Sequence, residues 1–175
     1  WQGVEDPYLY TCTAALVYRN EAVDEISCRF GIRSFSVDPE KGFFLNGRPM
    51  MLRGVSRHQD RLYKGNALTR EDHYQDAALI HELGANTVRL AHYQHSRDFY
   101  DACDEYGFVV WAEIPYISSQ SDDPKAHENC RTQMQELVYQ NYNHPSICFW
   151  GLSNEITIGG DSDELREKLH DLNNL

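Results

Sequence analysis

The sequence predicts an α/β fold: four short strands alternating with four helices, preceded by a few antiparallel strands. Three observations carry this. Short apolar runs recur from residue 50 onward, each is followed by a segment with helical spacing of apolar residues, and the helices are bracketed by capping residues.

Tyr8 to Asp38 is rich in Tyr, Val, Thr and Phe, with turn residues at Arg19-Asn20. That composition reads as two or three antiparallel strands closing a β-sandwich, so residues 1–38 are assigned to one domain and residues 39–175 to a second. Asn46-Gly47, between Phe43-Phe44-Leu45 and Arg48-Pro49-Met50, signals a tight hairpin turn. Met51 to Val55 is the first strand of the alternating part. Thr69 and Asp72 form a capping box for a helix that runs to Leu83 and closes at Gly84. Asn86 to Ala91 is the second strand. Ser96 caps a helix with Phe99, Ala102, Cys103 and Tyr106 at helical spacing, ended by Gly107, and Phe108 to Ala112 is the third strand. A loop near residues 118–124 precedes a helix carrying Met134, Leu137 and Val138, which stops before His144-Pro145 because proline cannot continue it. Ser146 to Leu152 is the fourth strand. Asp161 and Glu164 open a last helix with Leu165, Leu169 and Leu172 on one face.

Four such units make half of an eight-stranded (β/α)8 TIM barrel, and no glycine-rich fingerprint follows the first strand as a dinucleotide fold would require. The first and fourth strands would each keep an unpaired edge, so self-association through these edges is expected. The chain starts at Trp1 without a methionine and stops within a helical pattern, as though it were part of something longer.

With 41% hydrophobic and 12% aromatic residues, 175 residues can bury a sizeable core. No apolar run approaches the roughly 20 residues of a membrane span. A net charge of −11 with scattered Lys and Arg excludes a phosphate-backbone partner. The five cysteines are odd in number and lack C-x-x-C spacing, which argues against zinc and against a disulfide framework. Reduced cysteines and no visible signal peptide favour a cytoplasmic location.

In a parallel barrel the reactive groups stand at the carboxyl ends of strands, so the residues at those ends carry the test. The first strand leads into Ser56-Arg57-His58-Gln59-Asp60, the second into Arg89-Leu90-Ala91-His92-Tyr93, the third into Glu113, and the fourth into Ser153-Asn154-Glu155. Titratable side chains at the same end of four successive strands are hard to explain by packing alone. Retaining glycoside hydrolysis needs a carboxylic acid to protonate the leaving oxygen and a second carboxylate about 5–5.5 Å away. Glu155 suits the first role, and Asn154 supplies an amide of the kind that hydrogen-bonds a sugar 2-hydroxyl.

Blander readings compete. Asn154-Glu155 can simply cap the following loop. Glu113 is either a site carboxylate or a structural partner for Arg57 or Arg89; as the second carboxylate it would stand about 5 Å from Glu155. Trp111 and Trp150 on barrel strands are more often core than sugar platforms. His92-x-x-His95 crosses a strand-to-helix loop without a third ligand, so no metal is assigned, and no cofactor is expected.

Five stretches together carry a resemblance: Phe44-Leu-Asn-Gly-Arg-Pro49, Leu52-Arg-Gly-Val-Ser-Arg-His-Gln-Asp60, Gly84-Ala-Asn-Thr-Val-Arg-Leu-Ala-His-Tyr93, Phe99-Tyr-Asp-Ala-Cys-Asp-Glu-Tyr-Gly107 and Trp150-Gly-Leu-Ser-Asn-Glu155. In this order they resemble glycoside hydrolase family 2 over nearly the whole chain. Pro7-Tyr-Leu-Tyr10 and Phe30-Gly-Ile-Arg33 are similar to the last strands of the immunoglobulin-like domain that precedes the family's barrel.

The resemblance implies a retaining, exo-acting glycosidase. Glu155 would be its acid/base, His58 and His92 would contact the sugar or transition state, and Arg89 would orient the nucleophile; Glu113, a substrate-site candidate from its place at the end of the third strand, is not assigned by the resemblance. Val110-Trp-Ala-Glu-Ile-Pro-Tyr-Ile117 is most similar to bacterial β-galactosidases, so a terminal β-galactoside of an oligosaccharide is the expected substrate. β-Glucuronidase, β-mannosidase and a non-catalytic carbohydrate-binding barrel are the alternatives. The family's nucleophile is a second Glu at the end of the seventh strand, outside these residues, so the chain alone is expected to be inactive. Some members bind magnesium through a Glu and a His after the third strand; Ile117-Ser118-Ser119 offers neither, and that site is not expected.

Overall fold

A computed structural model describes residues 1–175 and contains three sheets and four helices. Strands β1 (Tyr10–Tyr18) and β2 (Glu21–Phe30) form an antiparallel hairpin around Arg19-Asn20, whose φ values of 51° and 66° are those of a two-residue type I′ turn. Its faces alternate in character. Cys12, Ala14 and Leu16 stand opposite Cys28, Ile26 and Asp24 on one side, while Thr13 and Ser27 on the other bring their hydroxyls to 2.8 Å. No second sheet covers the more apolar face.

Strands β3 (Phe35–Asp38), β4 (Gly42–Leu45) and β5 (Arg48–Pro49) form a second antiparallel sheet. The division expected between residues 38 and 39 therefore falls inside the β3–β4 hairpin. Asn46 (φ 50°) and Gly47 (φ 75°) make the tight turn between β4 and β5.

The main sheet is parallel, in the order β6 (Gly54–Arg57), β7 (Thr87–Leu90), β8 (Val109–Glu113), β9 (Ile147–Gly151). The first of these starts at Gly54, later than the apolar pattern from Met51 implied, because the Asn86 side chain takes the preceding backbone groups. Arg53 N donates to Asn86 Oδ1 (2.7 Å), and Asn86 Nδ2 donates to the Met51 carbonyl (2.9 Å).

Helix α1 (Arg70–Glu82) carries the Thr69/Asp72 capping box, and Gly84 follows it at φ 81°. α2 (Arg97–Tyr106) runs from its Ser96 cap to a left-handed Gly107. α3 (Pro124–Asn141) is capped by Asp123. α4 (Asp163–Asn173) is capped by Ser162, whose hydroxyl accepts from Leu165 N; Asp161 pairs instead with Arg166 at 2.5 Å.

All four helices pack on one face of the sheet. Val88, Leu90, Val110 and Ala112 meet Ala77, Phe99, Leu137, Leu165 and Leu172 there in one buried cluster. Each fully buried Val, Leu or Phe among them contributes about 1.5–3 kcal/mol. The opposite face is filled only at its base, where Trp1, Phe43 and Leu45 pack on Val109 and Cys148 near the amino ends of β8 and β9. Its upper half carries the polar strand-end groups. This is a partial TIM barrel, and β6 and β9 each keep one unpaired edge. Beside β9 lies an apolar groove of about 430 Å3, lined among others by Met134, Val138, Trp150 and Leu172. All five cysteines are free, and no helix is long and apolar enough to cross a membrane.

Candidate active site

Strand parity decides which polar groups meet. Ser56 pairs with Arg89, and Arg89 with Trp111, so Arg89, Trp111 and, two residues on, Glu113 project from the face opposite the helices. Glu113 is completely buried there. Arg89 Nη2 reaches its Oε1 at 3.0 Å, while Nε and Nη2 both lie 3.2 Å from Oε2. His92 Nδ1 stands 2.8 Å from the same Oε1. Beside a carboxylate that nitrogen carries the proton, which leaves Nε2 as the free ring nitrogen. The 3.1 Å approach of Arg89 Nη2 to Nδ1 is then a contact between two donors rather than a bond.

Arg89 Nη2 also donates to Asn154 Oδ1 at 2.7 Å. Arg89, His92, Glu113 and Asn154 thus form one connected network drawn from three strand ends. Glu113 is the buried hub. Both its oxygens are occupied and it has no accessible surface, an arrangement that favours the structural partner over the free site carboxylate, the two readings the sequence leaves open. Of the two partners considered for Glu113, the structure supplies Arg89.

Glu155 lies just beyond, on the open side. Its neighbours alternate: Asn154 is buried and bound to Arg89, Ile156 is buried in the main core, and Glu155 between them is exposed. Its φ of 51° is a left-handed value that an L-residue adopts at a cost of about 1–2 kcal/mol. Such a torsion persists only where the surroundings fix it. His58 is exposed, and its ring meets that of His92 edge-on at 4.9 Å. Gln59, next to it, accepts from Ser96 N at 2.6 Å and donates its backbone N–H to Tyr93 Oη at 3.1 Å, which ties the β6–α1 loop to the start of α2.

Arg57 faces the other way. It is buried on the helix side, where Nε and Nη2 donate to Asp76 at 2.9 and 2.6 Å and the guanidinium lies 3.8 Å from the centre of the Phe99 ring. It also donates to His73 Nδ1 (3.1 Å) and His95 Nδ1 (3.2 Å). His95 Nε2 donates to the Ala91 carbonyl at 3.1 Å, and burial pushes the pKa of His95 down to about 3. His92 and His95 therefore belong to opposite faces. Trp111 is 42% exposed on the site face above Phe149, whereas Trp150 packs against the main core.

Residues 37–174 match the family described as glycosyl hydrolases family 2, TIM barrel domain. The chain belongs to glycoside hydrolase family 2.

Among family members, a β-glucuronidase of Bacteroides fragilis is 44% identical over 93% of this chain and 24% of its own length. A β-galactosidase of Thermoanaerobacterium thermosulfurigenes is 39% identical over 85% of this chain and 20% of its own. The crystal structure of an FMN-binding β-glucuronidase from Facaelibacterium prausnitzii L2-6 superposes with a TM-score of 0.95 and 62% identity, covering 98% of this chain and 27% of that one. The chain thus spans about a quarter of the length of these relatives.

Gly151 is a site residue that sequence reasoning missed. A Cβ there would run into the Trp111 indole nitrogen and stand 2.6 Å from Glu113 Cβ. Its signal was present, as a glycine inside a strand marks close approach of a neighbour. The roles of Gln59 and Tyr93 had no such signal, because they depend on loop contacts.

Proposed function

We propose that the protein of which this chain forms the first half-barrel is a retaining exo-glycosidase acting on terminal β-glucuronides, with Glu155 as its acid/base. The observation that carries the catalytic reading is the placement of Glu155: exposed at the end of β9, between an Asn154 tied to the Arg89–Glu113–His92 network and a buried Ile156. Glu155 would first protonate the leaving oxygen and then take a proton from the attacking water. Asn154 would meet the sugar 2-hydroxyl. His92 and His58 would offer ring nitrogens to the sugar, and Arg89 would orient a nucleophilic carboxylate supplied by a later barrel strand.

The sugar is assigned from the relatives. Of the three relatives described above, the two named β-glucuronidase are 44% and 62% identical, against 39% for the β-galactosidase. The galactosidase-like stretch from Val110 to Ile117 weighs less in this choice for a physical reason. Val110, Ala112 and Ile114 are buried in the main core, so that part of the likeness follows barrel packing and not sugar recognition. The amphipathic β1–β2 hairpin supports placing it in a β-sandwich preceding the barrel. The open edges of β6 and β9 would pair with further strands.

The test is Glu155→Gln in the full-length enzyme. Its kcat/KM on alkyl glycosides should fall by about 10²-fold or more, the scale of a lost general acid, and unchanged turnover would refute the assignment. Nitrophenyl β-glucuronide, β-galactoside and β-mannoside assayed side by side decide the sugar.

A further inference from the structure

The segment after β8 and the segment after β9 are laced together through their backbones. Asn154 N donates to the Tyr116 carbonyl (2.9 Å), Ser118 N to the Asn154 carbonyl (3.0 Å), and Gly159 N to the Ser118 carbonyl (2.9 Å). Ile117 and Asn154 form a short parallel bridge. Side chains extend the lacing, with Gln120 donating to Ser162 Oγ at 3.4 Å and Lys168 donating to Gln120 Oε1 at 3.2 Å. Tyr116 and Ile156 anchor the two segments in the same buried cluster.

At Gly159 the chains approach so closely that no side chain fits. A Cβ there would stand 2.5 Å from Ser119 Cβ, with Ser119 Cα next at 3.3 Å. The φ of Gly159 lies outside the left-handed range, so its torsion admits other residues, and it is the approach that demands glycine. Ser118 (φ 65°) and Glu155 (φ 51°), one on each side of the lacing, both hold left-handed torsions.

We propose that residues 116–119 and Gly159 form a clasp that aims Glu155, with Gly159 as a positioning residue. This rests on reading Glu155 as the acid/base. A lone left-handed glutamate would relax; with Asn154 bridged to Ile117, Ile156 buried and Gly159 pressed on Ser119, its backbone has no alternative. An error of about 1 Å in such a group costs up to about 10²-fold in rate. The loss falls on glycosides whose leaving group needs protonation and spares those whose leaving group departs unaided.

The test is Gly159→Ala in the full-length enzyme, assayed on the nitrophenyl glycoside it hydrolyses and on the methyl glycoside of the same sugar. We expect kcat/KM to fall about 10- to 100-fold on the methyl glycoside and less than about threefold on the nitrophenyl one. Adding Ser119→Gly removes the colliding Cβ and should restore the methyl-glycoside rate. Equal loss on both substrates, no loss, or no recovery in the double variant would overturn the clasp. If Gly159→Ala alone does not fold, the double variant must fold and work, or the proposal falls. Glu155→Gln in parallel separates the two ideas. If it is fully active, the acid/base reading fails; if it is crippled while Gly159→Ala behaves as wild type, the clasp alone fails.

Discussion

Glu113→Gln removes one charge from the centre of the site and almost no volume. The carboxylate receives three contacts from Arg89, at 3.0, 3.2 and 3.2 Å, and one from His92 at 2.8 Å, while being fully buried. A glutamine keeps one acceptor. With its oxygen in the Oε2 position the two 3.2 Å contacts survive, and the amide NH2 then faces Arg89 Nη2, so donor meets donor where a 3.0 Å bond stood. His92 loses the acceptor that fixes its ring. Hydrogen bonds to charged groups are each worth about 1.5–3 kcal/mol, and breaking a buried ion pair costs about 3–5 kcal/mol. The Arg89 side chain is one-third exposed, so water recovers part of this and a loss of about 2–3 kcal/mol is expected. At about 2–4 °C per kcal/mol for a domain of this size, the melting temperature should drop by about 4–12 °C. Releasing Arg89 also frees Asn154, so kcat/KM of the full-length enzyme should fall by about 10²-fold, as for other displaced positioning groups. Thermal unfolding and steady-state kinetics measure both. A melting temperature within about 1 °C of wild type, together with unchanged kcat/KM, would refute the hub.

Three further outcomes follow from the same geometry. Gly151→Ala should destabilise by about 1–3 kcal/mol, since its Cβ would meet Trp111 and stand 2.6 Å from Glu113 Cβ; an unshifted denaturant midpoint would contradict the spacing of β8 and β9. Arg57→Lys gives up the paired donation to Asp76 and the stacking on Phe99, and should cost about 2–4 kcal/mol in urea unfolding, whereas a surface pair would cost under about 1 kcal/mol. His95 is held at about 3 by burial, so as pH falls through its ordinary value of 6.5 the unfolded chain takes up a proton that the folded one refuses. Its contribution is therefore complete above pH 6.5 and is lost between there and about 3, at up to about 1.4 kcal/mol per pH unit. His95→Gln should flatten the slope of stability against pH in that window, and an unchanged slope would remove His95 from the account.

The helices were legible because their signals are local. Thr69 with Asp72 at the start of α1, and Ser96 and Gly107 at the two ends of α2, each act within one turn and stand where the spacing placed them; residue 124, read from the sequence as loop, instead opens α3 as Pro124 behind its Asp123 cap. The tight turn at Asn46-Gly47 was legible for the same reason. Strand limits were less so: the start of β6 depends on Asn86, more than thirty residues away in sequence, competing for the backbone of Met51 and Arg53. At the site, the residue types and the strand end that presents them could be read. Their division of labour could not, because burial at Glu113 and exposure at Glu155 are properties of packing that two glutamates at strand ends do not announce.

Arg57 and Arg89 make the same point in sharper form. Each lies near the carboxyl end of a short strand and is followed closely by a histidine, at His58 and His92, so sequence alone offers either as a partner for Glu113. The register separates them. Because Ser56 pairs with Arg89 and Arg57 with Leu90, Arg89 shares a face with Trp111 and Glu113, while Arg57 shares one with Leu90 and Ala112 and is buried against Asp76 and Phe99. A slip of one residue in β6 would invert this and place a guanidinium in the site where Ser56 now stands. What opposes the slip lies at the other end of the strands. Asn86 bonds Arg53 through backbone and side chain, and Gly54 passes so close to Thr87 that a Cβ would stand 2.6 Å from its carbonyl oxygen. Asn86 and Gly54 touch nothing in the candidate site, yet the choice of which arginine faces Glu113 is made there.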